Sequence, residues 1–212
     1  MLEVLPEPGR ELVLSSARRI RFDRGQTILN QGSASATLLI IESGRVSIHL
    51  LTSAGENVIL AVMGPGEVLG EMGLVIPTGE RTASVRAIDE VTIRALRRES
   101  FDELRRNHPS VNDFLMHLLA ARADRLSRLV VEAYHVPVEQ RVARRLLEVG
   151  RLFATELLPV AIPLTQDEVA QLAGTRRPTA NQILRGFQDA GFLRLARGRV
   201  ELLDIAGLRQ RC

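Results

Sequence analysis

Glu71, Arg81 and Thr82 are the residues whose types and spacing could act on one small ligand. They lie in the stretch 66–87, Gly-Glu-Val-Leu-Gly-Glu-Met-Gly-Leu-Val-Ile-Pro-Thr-Gly-Glu-Arg-Thr-Ala-Ser-Val-Arg-Ala. A carboxylate accepts a hydrogen bond from a sugar hydroxyl. A guanidinium, a hydroxyl and free backbone N–H groups together hold a phosphate. A cyclic nucleotide presents both needs at once. Gly70 and Gly73 flank the carboxylate and let the backbone approach a ligand closely. The plainer alternative is a polar loop in which Glu71 and Arg81 pair with each other.

The elements that must position these residues differ in texture along the chain. From about Arg18 to Leu96, short β-rich runs (38–42, 46–51, 58–62 and 91–96) alternate with glycines at 25, 32, 44, 55, 64 and 66. Close-spaced short strands with glycine turns predict a sandwich or barrel. From Pro109 the period changes. Leu115, Leu119, Leu126, Leu129, Ala133 and Val136 follow steps of four and three, with Arg122 in the one polar slot. This predicts a long helix with a coiled-coil seam, read as a dimer contact in preference to packing on its own β-domain. Pro137 breaks the pattern and marks a hinge.

Beyond the hinge, residues 138–152 form an amphipathic helix with Val142, Leu146 and Val149 on one face. A loop with Pro159 and Pro163 follows. Thr165-Gln-Asp-Glu168 is a capping-box start for a helix over 166–172. Gly174 permits a sharp turn, Thr175 is placed to cap the next helix, and Pro178 fits its first turn over 178–189. That second helix and its approach carry Arg176, Arg177, Thr179, Asn181, Gln182 and Arg185, which with Thr165 are types that reach phosphates and base edges. Ala180, Ile183, Leu184 and Phe187 face inward. Apolar runs at 192–195 and 200–203 around Arg197-Gly198 predict a hairpin wing. The competing reading is a helical hairpin whose arginines only face solvent.

Bulk properties exclude several classes. All 28 basic residues are arginine, so each basic contact can be planar and bidentate. The single cysteine, Cys212, rules out an internal disulfide, a cysteine-ligated iron–sulfur cluster and a structural zinc site. His49, His108, His117 and His135 form no haem or metal motif. Neither a signal-peptide pattern nor a membrane-length apolar run is present, so a cytoplasmic protein with no membrane partner is expected.

The cassette at 66–87, the long helix and the helix pair from Thr165 to Arg185 come in an order that resembles the Crp/Fnr family of bacterial transcription regulators, the cyclic AMP receptor family. The resemblance covers nearly the whole chain. It implies an α+β protein with an N-terminal β-roll, a kind of jelly roll, that binds a cyclic nucleotide over 1–108. A dimerisation helix and hinge over 109–137 and a winged helix-turn-helix DNA-binding domain over 138–212 complete it.

By the same resemblance, Glu71 bonds the ribose hydroxyl, Arg81 pairs with the cyclic phosphate, and Thr82 adds a hydroxyl. Backbone groups near Gly70 and Met72 complete the cradle. The family's Thr-Ser pair on the long helix, which meets the adenine amino group, maps to Leu126-Ser127. Ser127 fits, whereas Leu126 can pack on a purine but cannot bond it. Cyclic AMP is the first expectation for the effector and cyclic GMP the second, because a threonine at Thr82 is associated with cyclic GMP in eukaryotic relatives. The family's recognition helix often begins Ser-Arg-Glu-Thr. Arg177 and Thr179 carry over, but Pro178 replaces the glutamate, an acceptor for a cytosine amino group. The family's usual operator is therefore not implied.

The resemblance thus predicts a homodimeric transcription regulator under allosteric control. Its partners are double-stranded DNA with two half-sites, a second copy of the chain, and RNA polymerase. No metal, haem or iron–sulfur cluster is expected. One rival keeps the DNA binding but makes it constitutive, with a degenerate or differently specific pocket. Another makes Glu71 and Arg81 catalytic in a nucleotide hydrolase, against which stand the lack of a P-loop, an activated nucleophile or a metal-ligand cluster.

Overall fold

The computed structural model describes residues 7, 9–34, 36–75, 79–154 and 158–212. Residues 76–78 of the cassette, and the prolines at 6 and 8, lie outside them. The chain divides into two compact units, 1–51 with 62–127, and 52–61 with 128–212.

A short helix α1 (Gly9–Ser15) leads into strands β1 (Arg18–Phe22), β2 (Thr27–Leu29), β3 (Thr37–Ser43), β4 (Val46–Leu51), β5 (Asn57–Met63) and β6 (Val68–Leu69). Helix α2 (Glu71–Val75) follows, then β7 (Ser84–Ala87) and β8 (Val91–Arg97). These strands form two four-stranded sheets, ordered β1-β8-β3-β6 and β2-β7-β4-β5. The expected β-roll is present. Its strands outrun the apolar runs by a residue or so, because β3 ends on solvent-facing Glu42 and Ser43. In β3 the run Leu38 to Ile41 is buried on both faces, one toward the other sheet and one toward the helices.

Helix α3 (Arg98–Asn107) and the part of α4 (Pro109–His135) up to residue 127 close the first unit. Here the seam expectation needs correction. Val111, Phe114, Leu115 and Leu118, a stripe at steps of three, one and three, are buried in one core with Leu38, Ile40, Val68, Leu96 and Phe101. Leu115 therefore belongs to the roll, and Leu119 packs at the edge of the same cluster. The exposed large apolar residues of α4 are Met116, Leu126, Val130, Val131 and Tyr134. Two stripes share this helix. The first half packs on its own β-domain and only the second half presents an open apolar face.

The second unit holds α5 (Val138–Phe153), β9 (Val160–Ile162), α6 (Gln166–Leu172), α7 (Arg177–Asp189), β10 (Leu193–Ala196), β11 (Arg199–Leu202) and α8 (Ile205–Arg209). The hairpin β10–β11 is the expected wing. Strand β9 occupies part of the expected loop; Pro159 and Pro163 flank its three paired residues and so remove no ladder bond. Val142, Leu146, Ile162, Leu164, Leu184, Val200 and Leu202 form the buried centre. The last turns of α4 are tied to α5 inside this unit. Glu132 receives Arg144 at 3.2 Å and also Arg145, and Arg141 donates to the carbonyl of Ala133 at 3.1 Å.

No described helix is long and apolar enough to cross a membrane.

Candidate functional site

The cradle is built where β6 runs into α2. Gly70 joins them at φ +84°. A Cβ there would lie 2.1 Å from Nη1 of Arg81 and 2.8 Å from the carbonyl oxygen of Thr37. Glycine is thus fixed twice, by backbone angle and by contact. Glu71 opens α2 and is 4% exposed. Met72 turns its side chain toward solvent.

Arg81 comes from the far side of the cassette and is buried. Its Nη2 donates to the carbonyl and the hydroxyl of Thr37 at 2.8 and 2.9 Å, and Nη1 to the carbonyl of Gly70 at 3.4 Å. Nε is buried with no hydrogen-bond partner among the described residues. Burial lowers the Arg81 pKa, the Glu71 charge opposes that shift, and the neighbouring Arg98 reinforces it. A buried cation with an orphaned donor and a second cation beside it is a seat for an anion. Thr82 is exposed beside it.

The suggested Glu71–Arg81 pair does not form. Glu71 instead receives Nε of Arg122, on α4, at 3.2 Å. Nη2 of Arg122 donates to the carbonyl of Val68 at 2.8 Å. Arg122 was visible in the sequence only as the polar interruption of an apolar stripe, and this bond explains the interruption. Thr37 and Arg98 gave no signal. Arg98 donates to the carbonyls of Gly73 and Leu74 at 2.5 and 3.1 Å, closing the end of α2. Leu126 and Ser127 lie one turn beyond Arg122 and are exposed, with the Ser127 hydroxyl on the Ala123 carbonyl at 2.9 Å.

In the second unit the capping box forms as read. Thr165 Oγ1 accepts from Glu168 N at 3.2 Å, and Thr165 N donates to Glu168 Oε2 at 2.7 Å. Gly174 turns at φ +62° with nothing within 4 Å of a would-be Cβ, so the turn angle alone requires it. The cap of α7 is corrected: Arg176, not Thr175, is its N-cap, without a side-chain bond, and Pro178 falls in the first turn. Ala180, Leu184 and Phe187 are buried, which turns Arg176, Arg177, Thr179, Gln182 and Arg185 to solvent. Asn181 differs, since its Oδ1 is buried without a partner among the described residues. Thr165, Gln166, Asp167 and Arg177 line one cleft of about 440 Å³ with Ala196, Arg197 and Gly198 of the wing turn.

Residues 19–108 match the cyclic nucleotide-binding domain model and residues 140–211 the Crp-like helix-turn-helix domain. The chain is 33% identical over 195 residues to the CRP-like cAMP-activated global transcriptional regulator of Mycobacterium tuberculosis, covering 91% of this chain and 87% of that protein. It is 33% identical over 200 residues to the cyclic AMP receptor protein of Thermus thermophilus, covering 94% and 90%. Among solved structures, the catabolite activator protein of Thermus thermophilus aligns at 32% identity and a TM-score of 0.56, over 97% of this chain and 94% of that one. The regulator CLP of Xanthomonas campestris aligns at TM-score 0.78 and 23% identity, over 93% and 99%, and shares the fold.

Proposed function

We propose that this chain, which belongs to the Crp/Fnr family of transcription regulators, is a DNA switch gated by cyclic AMP and working as a homodimer. It carries a cyclic nucleotide-binding domain and a DNA-binding helix-turn-helix, and like its family it is a regulator of transcription and not an enzyme. The observation that carries the effector reading is Arg81: buried, charged, and with Nε unpaired among the described residues.

In this reading the cyclic phosphate accepts from Arg81 and Thr82 and from backbone N–H groups near Gly70 and Met72. Glu71, steadied by Arg122, accepts from the ribose hydroxyl. Leu126 and Ser127 meet the purine. The Mycobacterium tuberculosis relative is cAMP-activated by name and the Thermus thermophilus relative a cyclic AMP receptor by name, which supports cyclic AMP over cyclic GMP. The open face of α4 at Leu126, Val130 and Tyr134 supports pairing with a second copy. Arg176, Arg177, Thr179, Asn181, Gln182 and Arg185 of the α7 segment, with Thr165, then address DNA half-sites about one helical turn apart. The ligand acts by binding the DNA-competent state more tightly. RNA polymerase is the further partner in this reading.

Calorimetric titration of the full chain with cyclic AMP and cyclic GMP tests the reading. Binding that falls by about 30-fold or more in Arg81→Ala supports it, since a charge-assisted bond to a buried group is worth roughly 2–3 kcal/mol. Equal affinity of wild type and variant overturns it. A second reading, constitutive DNA binding, draws on the apolar Leu126 and on Arg122 engaging Glu71. Operator affinity unchanged by either nucleotide supports that alternative.

A further inference from the structure

Three residues of α7 stand opposite its buried face and form one row. Pro178 lies two residues before buried Ala180, Gln182 two after it and two before buried Leu184, and Gly186 two after Leu184. A helix turns about 100° per residue, so each member of the row lies about 200° round from a packed neighbour. All three are exposed. The row runs at steps of four along the solvent face, and Gln182 is its one polar tip.

The members on either side leave that tip standing clear. Pro178 brings a ring and no donor. Gly186 brings no side chain, although a Cβ there would meet nothing within 4 Å. Glycine weakens a helix interior, so packing gives no reason for it here. Bare backbone suits the close approach of another molecule. The Gln182 amide is also uncommitted. Gln171 donates to Asp167 at 2.9 Å, and Gln188 accepts from the Leu195 N–H at 2.9 Å. Gln182 has no such partner among the described residues. Asn181, the other amide side chain of α7, keeps its Oδ1 buried and cannot offer both of its polar atoms outward.

A glutamine amide carries a donor and an acceptor side by side. In the major groove only adenine presents the matching pair, an N7 acceptor beside an N6 donor. Guanine presents two acceptors, and the amide oxygen would face one of them. Cytosine and thymine offer one polar group each. Arg177, Thr179 and Arg185 serve phosphates as readily as bases, so they do not single out one base.

We infer that Gln182 is the specificity-determining residue of α7 and that it reads adenine, Nε2 donating to N7 and Oε1 accepting from the N6 amino group. The inference rests on the DNA-binding reading of α7 and names the base which that reading leaves open. Pro178, one turn nearer the start of the helix, sets its ring where a thymine methyl fits. Each half-site therefore carries an adenine at the position under the middle of α7, and exchanging the side chain exchanges the base.

In vitro selection from a random duplex library tests this with the full chain, run with cyclic AMP, with cyclic GMP and without nucleotide. Wild type enriches half-sites with adenine at one fixed position. Gln182→Arg replaces it by guanine at that position alone, because a guanidinium donates to both guanine acceptors. Gln182→Ala leaves the position unspecified. The selected wild-type site then serves for fluorescence anisotropy. Changing its A·T pair to G·C weakens wild type by roughly 5- to 150-fold and leaves Gln182→Ala unaffected. Replacing the adenine by 7-deazaadenine, which lacks the N7 acceptor, weakens wild type by about three- to tenfold and again leaves Gln182→Ala unaffected. A merely structural role for Gln182 would lower affinity for every duplex alike and move no base. Thermal melting confirms that each variant is folded.

A wild-type site without a fixed adenine, or the same site enriched by wild type and both variants, overturns the inference and leaves DNA binding by α7 standing. So does a 7-deazaadenine penalty that persists in Gln182→Ala. Where Gln182→Arg enriches nothing, the 7-deazaadenine comparison decides. If wild type enriches no sequence under any of the three conditions, the DNA-binding reading falls and the inference with it.

Discussion

Arg122 of α4 donates to Glu71 of α2 across 3.2 Å, and the same guanidinium reaches the carbonyl of Val68 at 2.8 Å. The carboxylate proposed to hold a ribose is thus oriented by the helix proposed to pair two copies. Removing Arg122 leaves Glu71 buried without its cation. Arg122→Leu is expected to lower stability by roughly 1–3 kcal/mol, since the pair is partly open to solvent. Chemical denaturation of a double-mutant cycle with Glu71→Gln checks this. The two changes together should cost clearly less than their sum.

Gly70 is expected to tolerate no side chain. Gly70→Ala strains the backbone by about 1–2 kcal/mol at its positive φ and pushes its methyl into Arg81. Cyclic nucleotide affinity should fall below detection by calorimetry, and the melting temperature should drop. A variant with wild-type affinity would show that Arg81 is not part of the cradle.

Val130, 57% exposed in the half of α4 that does not pack on the roll, should be silent for folding and decisive for pairing. Val130→Glu places like charges opposite each other across a twofold helix pair. Sedimentation velocity is expected to show a dimer for wild type and a monomer for the variant, with circular dichroism unchanged.

Acid should loosen the wing. The bond from Arg194, and after it that from Arg199, holds the Glu201 carboxyl below its ordinary value, with desolvation opposing them. The native wing therefore binds fewer protons than the unfolded chain just below pH 4.5. Its stabilisation is complete above that pH and is lost as pH falls through the lowered value. Amide exchange of residues 193–202 should accelerate across that window in wild type. In Glu201→Gln the change should be flattened.

The short strands of the β-domain, the capping box at Thr165 and the wing hairpin could be read from the sequence because their signals are local, whereas the roll itself came from the family resemblance. Glycine turns, a threonine three residues before a glutamate, and two apolar runs around Arg-Gly each declare themselves within a few residues. The register of α4 could not be read so directly. Leu115 and Leu119 fit both a seam and a core stripe, and only the position of Phe101 and Leu38 assigns Leu115 to the roll. The partner of Glu71 was equally hidden, since Arg122 lies 51 residues away and its pairing depends on where α4 crosses the cassette. Strand β9 was concealed by prolines that flank its three residues without taking part in the pairing.

The crowding around Gly70 bears on how such a protein can diverge. Every amino acid other than glycine brings a Cβ, so no point change at position 70 retunes the cradle by degrees. Each one breaks it. Leu126 and Ser127 meet no comparable wall, being exposed on their helix. Drift in ligand preference is therefore channelled away from the phosphate end and onto α4, where a lineage can trade one small effector for another without first losing the ability to grip an anion.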